Sequence, residues 1–188
     1  KRIFNLGVEK ISISSSAINS PSIISELADS VGNQSVVVVL DIKKKFFGNN
    51  YDVLIKNGKY KTKINIDDFV PSLKELGAGE IVLNSIDRDG TMQGYDYKAI
   101  DKVRAKTTLP ITVLGGAGSL IHIGELISKY GIIGAAAGSI FVFKGKYKAV
   151  LINYPDEKEK MNLIKKNMNL EWLFKCESMK ILTQNLKN

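Results

Sequence analysis

Cysteine and histidine are almost missing from this chain, with one of each, Cys176 and His122, among 188 residues. A single cysteine excludes an internal disulfide framework, and the two residues together leave no cluster for a tetrahedral zinc site or for Cys-His catalysis. Also missing is any apolar run near the roughly 18 residues of a membrane span. The amino end, Lys1-Arg2-Ile3-Phe4-Asn5-Leu6-Gly7, lacks the apolar core of a signal peptide. The expectation is a cytoplasmic protein with no membrane partner, no metal and no other cofactor.

What is present suits one globular domain: 44% of residues are hydrophobic, enough for one sizeable core in a chain of this length. The net charge is +8, but the lysines fall in three separate places, at 43–45, 56–63 and 144–166. Nucleic-acid binding asks for a continuous basic stripe with base-reading groups, so these charges read as solvated surface with no nucleic-acid partner. They also suit an anionic, phosphorylated small-molecule substrate.

Short β-branched runs alternate with segments of helical period, the pattern of βα units and a parallel sheet. Predicted strands are Val8–Ile13, Ser35–Ile42, Glu80–Ser85, Pro110–Leu114 and Ile132–Ala137, each too apolar to have a wet face. Between them, helices are predicted at Pro21–Val31, Asp67–Leu76, Asp96–Lys106 and Ser119–Tyr130. The first has Asn19-Ser20-Pro21 as a start signal and Gly32 as a stop. Lys43–Lys63 contains Gly48-Asn49-Asn50 and Asn57-Gly58 and reads as a β-hairpin insertion. Residues 156–188 read as a terminal helix and tail, with Leu163, Leu170 and Leu173 as packing residues.

Glycine-bearing turns follow three strands: Asp87-Arg88-Asp89-Gly90-Thr91, Gly115-Gly116-Ala117-Gly118 and Gly138-Ser139. In a parallel barrel they would share the rim at the strands' carboxyl ends, where barrel active sites lie. Glycine lets backbone N–H groups approach an anion, and the following helix adds its partial positive end. Gly115-Gly116 followed one βα unit later by Gly138-Ser139 therefore reads as a phosphate cradle, although each pair alone could be a plain turn. Asp41 ends one strand and Asp89 follows another, and together they could serve as acid and base. Alternatively, Asp41 pairs with Lys43 and Asp89 caps a turn. His122 lies on the outer helical segment and reads as a surface or partly buried helix residue.

At these positions the sequence resembles the cyclase subunit of imidazole glycerol phosphate synthase. The match runs from Gly77-Ala78-Gly79-Glu80-Ile81 through Ser85-Ile86-Asp87-Arg88-Asp89-Gly90-Thr91 to Gly94-Tyr95-Asp96. It also takes in Val37-Val38-Val39 with Asp41 and Lys43, Gly115–Gly118, and Gly138-Ser139-Ile140-Phe141. The resemblance covers residues 1–155 and implies a (βα)₈ barrel lacking its first three strands. It implies an enzyme that takes ammonia from a docked glutaminase subunit. With that ammonia it would convert a bis-phosphorylated ribulosyl nucleotide into imidazole glycerol phosphate and an aminoimidazole carboxamide ribotide, a step of histidine biosynthesis. In that family one aspartate on the first strand and one on the fifth supply the acid and base; by the resemblance Asp41 matches the fifth-strand one and Asp89 another aspartate near the ligand, and both are expected to be catalytic. Gly90, Gly116, Gly138 and Ser139 hold one phosphate, with Gly115 beside them, and Ser14 and Ser15 hold the other. Asn84 meets substrate, Lys10 and Glu80 gate the ammonia passage, and Glu9 faces the glutaminase.

The departures matter as much. Val8–Ile13 matches the family's fourth strand, so the first catalytic aspartate has no counterpart. Lys1 enters mid-helix, and the sequence is expected to be a fragment. Asn84 replaces a threonine and Leu114 a serine. Asp41-Ile42-Lys43-Lys44 with Phe47-Gly48, and Val142-Phe143-Lys144-Gly145 leading to Ala149–Pro155, look like a paralogous branch found with bacterial surface-polysaccharide genes. That branch implies ammonia delivery, with a glutaminase, to an amidotransferase making acetamidino sugars. A non-catalytic partner that only binds a glutaminase is the alternative from another class.

Overall fold

The computed structural model describes residues 6–144 and 149–167. In chain order the elements are β1 (Ile11–Ile13), α1 (Ser15–Asn19), α2 (Ser22–Val31), β2 (Val36–Lys44), β3 (Tyr51–Ile55), β4 (Tyr60–Lys61), α3 (Ile66–Glu75) and β5 (Glu80–Ser85). There follow α4 (Tyr97–Arg104), β6 (Ile111–Leu114), α5 (Leu120–Tyr130), β7 (Gly134–Ala135), α6 (Ser139–Val142), β8 (Phe143–Lys144), β9 (Ala149–Val150) and α7 (Glu157–Asn167). Cys176, Leu170 and Leu173 lie outside the described residues.

The fold is α/β. Strands β1, β2, β5, β6 and β7 lie side by side, all parallel, with each neighbour reached through at least one helix. This is the βα succession expected for part of a barrel. Among the described residues no pairing joins β7 back to β1, so the sheet is open. β2 is long enough to serve two partners on one edge: its first half pairs β1 in parallel (Ile13↔Val38) and its second half pairs β3 antiparallel (Asp41↔Leu54). The predicted hairpin insertion is therefore a meander, closed by β3 on β4 and a turn in which Lys56, Asn57 and Gly58 have φ of 53°, 58° and 76°. Asn-Gly tolerates that left-handed backbone.

One face of the sheet forms the core. Val38, Leu40, Ile42, Ile81, Leu83 and Val113 are buried with Ile24 of α2, Leu73 of α3, Ile100 of α4 and Leu126 of α5. Each such side chain contributes roughly 1.5–3 kcal/mol over its exposed state. The other face corrects the expectation that no strand is wetted. On β5 the burial alternates, with Glu80, Val82 and Asn84 half-buried between buried Ile81, Leu83 and Ser85. Their neighbours Val39, Asp41, Thr112 and Leu114 are half-buried too. The sheet is apolar on its helix side and accessible on its inner side.

Element ends differ from the sequence reading in three places. The predicted Asn19-Ser20 cap makes no side-chain cap bond: α2 starts behind Pro21, and the Ile23 amide donates to the Ser20 carbonyl. Effective caps are Asn65, which accepts from the Asp67 amide, and Asp96, which accepts from the Ala99 amide. Only Ile11–Ile13 and Gly134–Ala135 of the two flanking strand predictions pair, because each has a single neighbour at its edge of the parallel array. Among the described residues no helix is long and apolar enough to cross a membrane.

Candidate functional site

Parallel strands put the turns after β5, β6 and β7 on one rim, and hydrogen bonds tie the first two together. The Gly94 amide donates to the Gly116 carbonyl at 2.8 Å. Gly115 and Gly116 have φ of +93° and +105°, a region that favours glycine. A Cβ on Gly116 would run into the Gly94 carbonyl oxygen, and one on Gly118 into the Met92 carbonyl oxygen. Both glycines are thus required by close backbone approach. Gly118 spends its amide on the His122 Nδ1, 3.0 Å away. The Ala117, Ser119 and Gly138 amides meet no acceptor among the described residues.

A cavity of about 350 Å³ opens where these turns meet, walled by Met92, Gly118, Ser119, Leu120, Ile140 and Phe141. Part of its wall comes from residues at or just after the predicted turns, and Phe143, Asn153, Pro155 and Glu159 supply the rest. Gly116 is buried behind it, and Gly138 and Ser139 precede the Ile140-Phe141 wall. Gly90 and Gly138 are exposed, with nothing within 4 Å of where a Cβ would stand.

The two aspartates are not placed alike. Asp41 and Asn84 are register partners across β2 and β5, and Asn84 Nδ2 donates to Asp41 Oδ1 at 2.8 Å. Asp41 therefore pairs with Asn84 rather than Lys43. Asn84 Oδ1 is buried, has no hydrogen-bond partner among the described residues and faces Gly115. An ionised carboxylate only accepts, which fixes the amide with its NH₂ toward Asp41 and its carbonyl free. Asp89 is exposed in the turn, where its amide donates to the Ser85 carbonyl at 3.0 Å. Ser14 precedes α1 without a side-chain cap bond, and Ser15 Oγ accepts from the Lys56 amide at 2.9 Å, linking α1 to the hairpin turn.

At the opposite rim Lys10 and Glu80 meet as a salt bridge of 2.5 Å, and Thr112 Oγ1 donates to the other Glu80 oxygen at 2.6 Å. Burial alone would raise the Glu80 carboxyl, but hydrogen bonds from Lys10 and Thr112 and the Lys10 charge together hold it below its usual value. Gly134, the register partner of Thr112, leaves room for the Thr112 hydroxyl where a Cβ would collide with it. Glu9 is exposed beside this rim.

Sequence reasoning missed three participants. Thr112 had a legible signal, since Glu80, Val82 and Thr112 share one face once the register is known. Tyr51, whose hydroxyl donates to both Asp96 oxygens at 3.0 Å, fixes the hairpin to the start of α4. Burial first, then the Asp96 carboxylate, push the Tyr51 phenol well up. The third is His122, which the sequence offered only as a helix residue.

A family profile described as "Histidine biosynthesis protein" matches residues 1–148. A Leptospira borgpetersenii protein provisionally named imidazole glycerol phosphate synthase subunit HisF is 57% identical over 159 residues, which is 85% of this chain and 63% of that relative. The provisionally named subunit hisF3 of Vibrio vulnificus (strain YJ016) is 53% identical over 160 residues, covering 85% of this chain and 62% of its own length. The imidazole glycerol phosphate synthase subunit HisF of Chlorobium phaeovibrioides is 40% identical over 144 residues, covering 77% and 57%. This chain spans less than two thirds of the curated relatives it matches. With the profile covering most of its length, the chain belongs to the histidine biosynthesis protein family.

Proposed function

We propose that this chain supplies the phosphate-holding and partner-facing strands of a cytoplasmic, cyclase-type subunit of imidazole glycerol phosphate synthase, fed with ammonia by a glutaminase. The observation that carries the reading is the inner face of β5. Glu80, Val82 and Asn84 alternate along it, so the Lys10–Glu80 pair and the Asp41–Asn84 pair stand at opposite ends of one accessible surface. Four residues of strand separate them by about 13 Å. Ammonia entering past Glu80 would travel along Val82 toward a substrate at the carboxyl rim. One phosphate would be held there by the amides of Ala117 and Ser119 at the start of α5 and of Gly138 at the start of α6, which meet no acceptor among the described residues.

In this reading Asp41 exchanges a proton with the substrate through Oδ2, while Asn84 holds Oδ1 and orients the carboxylate. Asp89, exposed in the neighbouring turn, approaches the ligand from solvent. Lys10, Glu80 and Thr112 make the entry that the partner glutaminase covers, with Glu9 at its margin.

The paralogous reading, ammonia delivery for acetamidino-sugar synthesis with a glutaminase and an amidotransferase, has its own support. The numbered copy hisF3 is 53% identical where the Chlorobium HisF is 40%. Complementation of a histidine auxotroph by the gene encoding this chain separates the two. Growth without histidine supports the cyclase; no growth with the protein present, while glutaminase capture persists, supports the paralogue. Failure to capture any glutaminase contradicts both.

A further inference from the structure

We infer that His122 is a positioning residue for the phosphate cradle: its ring fixes the Gly118 amide, and with it the backbone that faces the anion. The inference rests on the phosphate reading above and assigns a role to a residue that reading does not use.

α5 begins without a side-chain cap. Ser119 stands at the N-cap with φ −160° and ψ 165°, and its hydroxyl makes no cap bond. His122, at the third helical position, reaches back instead and accepts from the Gly118 amide at 3.0 Å. A backbone N–H can only donate, so Nδ1 carries the lone pair and the ring proton sits on Nε2. The same ring lies against Gly94, where a Cβ would stand 3.8 Å from the ring Cδ2. Gly94 in turn donates to the Gly116 carbonyl at 2.8 Å. One side chain thus touches the turn after β5 and the turn after β6. With Gly118 turned onto the ring, the neighbouring Ala117 and Ser119 amides are left without a described acceptor, one on each side of it.

The residue type fits the task. Glutamate or glutamine at this helical position commonly reaches back to an N-terminal amide. A glutamate here would set a full negative charge beside the place where an anion binds. A neutral imidazole supplies the same acceptor without that repulsion.

The test compares the whole chain with its His122→Phe and His122→Asn variants in inorganic phosphate, following the Ala117 and Ser119 amides by NMR. Asparagine keeps an acceptor near the Nδ1 position, whereas phenylalanine keeps a ring and removes the acceptor. Loss of one such bond predicts phosphate binding weakened about tenfold in His122→Phe, with His122→Asn within about threefold of the unaltered chain. A purely structural role would lower stability in both without this split in affinity. A through-hydrogen-bond coupling between the Gly118 amide and His122 Nδ1 is expected in the unaltered protein, and decides the matter should the phenylalanine variant fail to fold. Equal phosphate affinity in His122→Phe, or no coupling, overturns the inference while leaving the cradle intact. No phosphate binding by the unaltered chain overturns the cradle reading and this role together.

Discussion

Replacing Gly90, Gly116 and Gly138 by alanine, one at a time, separates the two physical demands on a glycine. Gly116 carries both: φ is +105°, and a Cβ would collide with the carbonyl oxygen of Gly94, which is backbone and cannot rotate away. The left-handed conformation costs an alanine roughly 1–2 kcal/mol. Forcing the two turns apart adds about 1–3 kcal/mol. The expected total is about 3 kcal/mol, or roughly 6–12 °C in Tm for a domain of this size. Gly90, at φ +72° with nothing within 4 Å, carries only the conformational demand and should cost about 1 kcal/mol. Gly138 has φ −121° and open space, so its alanine variant should lie within about 0.5 kcal/mol of the parent. Urea unfolding followed by far-ultraviolet circular dichroism gives the three values. Equal costs at the three positions, or a neutral Gly116→Ala, would refute the packing of the turn after β5 against the turn after β6.

Two further outcomes follow from buried or bridging polar groups. Tyr51→Phe removes a hydroxyl that donates to both Asp96 oxygens and should destabilise by about 1.5–3 kcal/mol, read from the urea midpoint. A loss under about 0.5 kcal/mol would show that the hairpin is not anchored through Asp96. Glu80 is held below the ordinary range of a glutamate carboxyl, so its contribution to stability is complete above that range and is lost as pH falls through the lower folded value. Glu80→Gln should remove that part of the acid dependence, and an unchanged acid profile would contradict the Lys10–Glu80–Thr112 network.

The sequence was most informative where burial enforces a period. The Val36–Leu40 run sits in the structure much as its residues dictate, because a register slip would expose every apolar side chain, and α2 stops at Gly32 as expected. It was least informative at the sheet margins. Ile132–Ala137 is apolar enough for a longer strand, yet only two residues pair, since a strand with one neighbour gains little from extending past Gly134. The shared rim was legible as glycine turns after parallel strands. The cavity is walled by Gly118, Ser119 and Ile140 together with Asn153, Pro155 and Glu159, residues that the chain brings back from beyond the last predicted strand. Asp41 was read as ending its strand, yet β2 runs on to Lys44 because β3 pairs with its second half, and the partner Asn84 depends on the β2–β5 register. Thr112 escaped for the same reason, its partner Glu80 being 32 residues away, whereas the His122 bond to the Gly118 amide is local and depends on the backbone turn before α5.

The central claim is that backbone amides at the turns after β6 and β7 gather one phosphate. Titrating the chain with inorganic phosphate while following backbone amide shifts tests it directly. The account predicts saturable shifts at Ala117, Ser119 and Gly138, with the Lys10 and Glu80 amides at the far rim unmoved. Shifts confined to the lysine-rich surface, or none at those three amides, would contradict it.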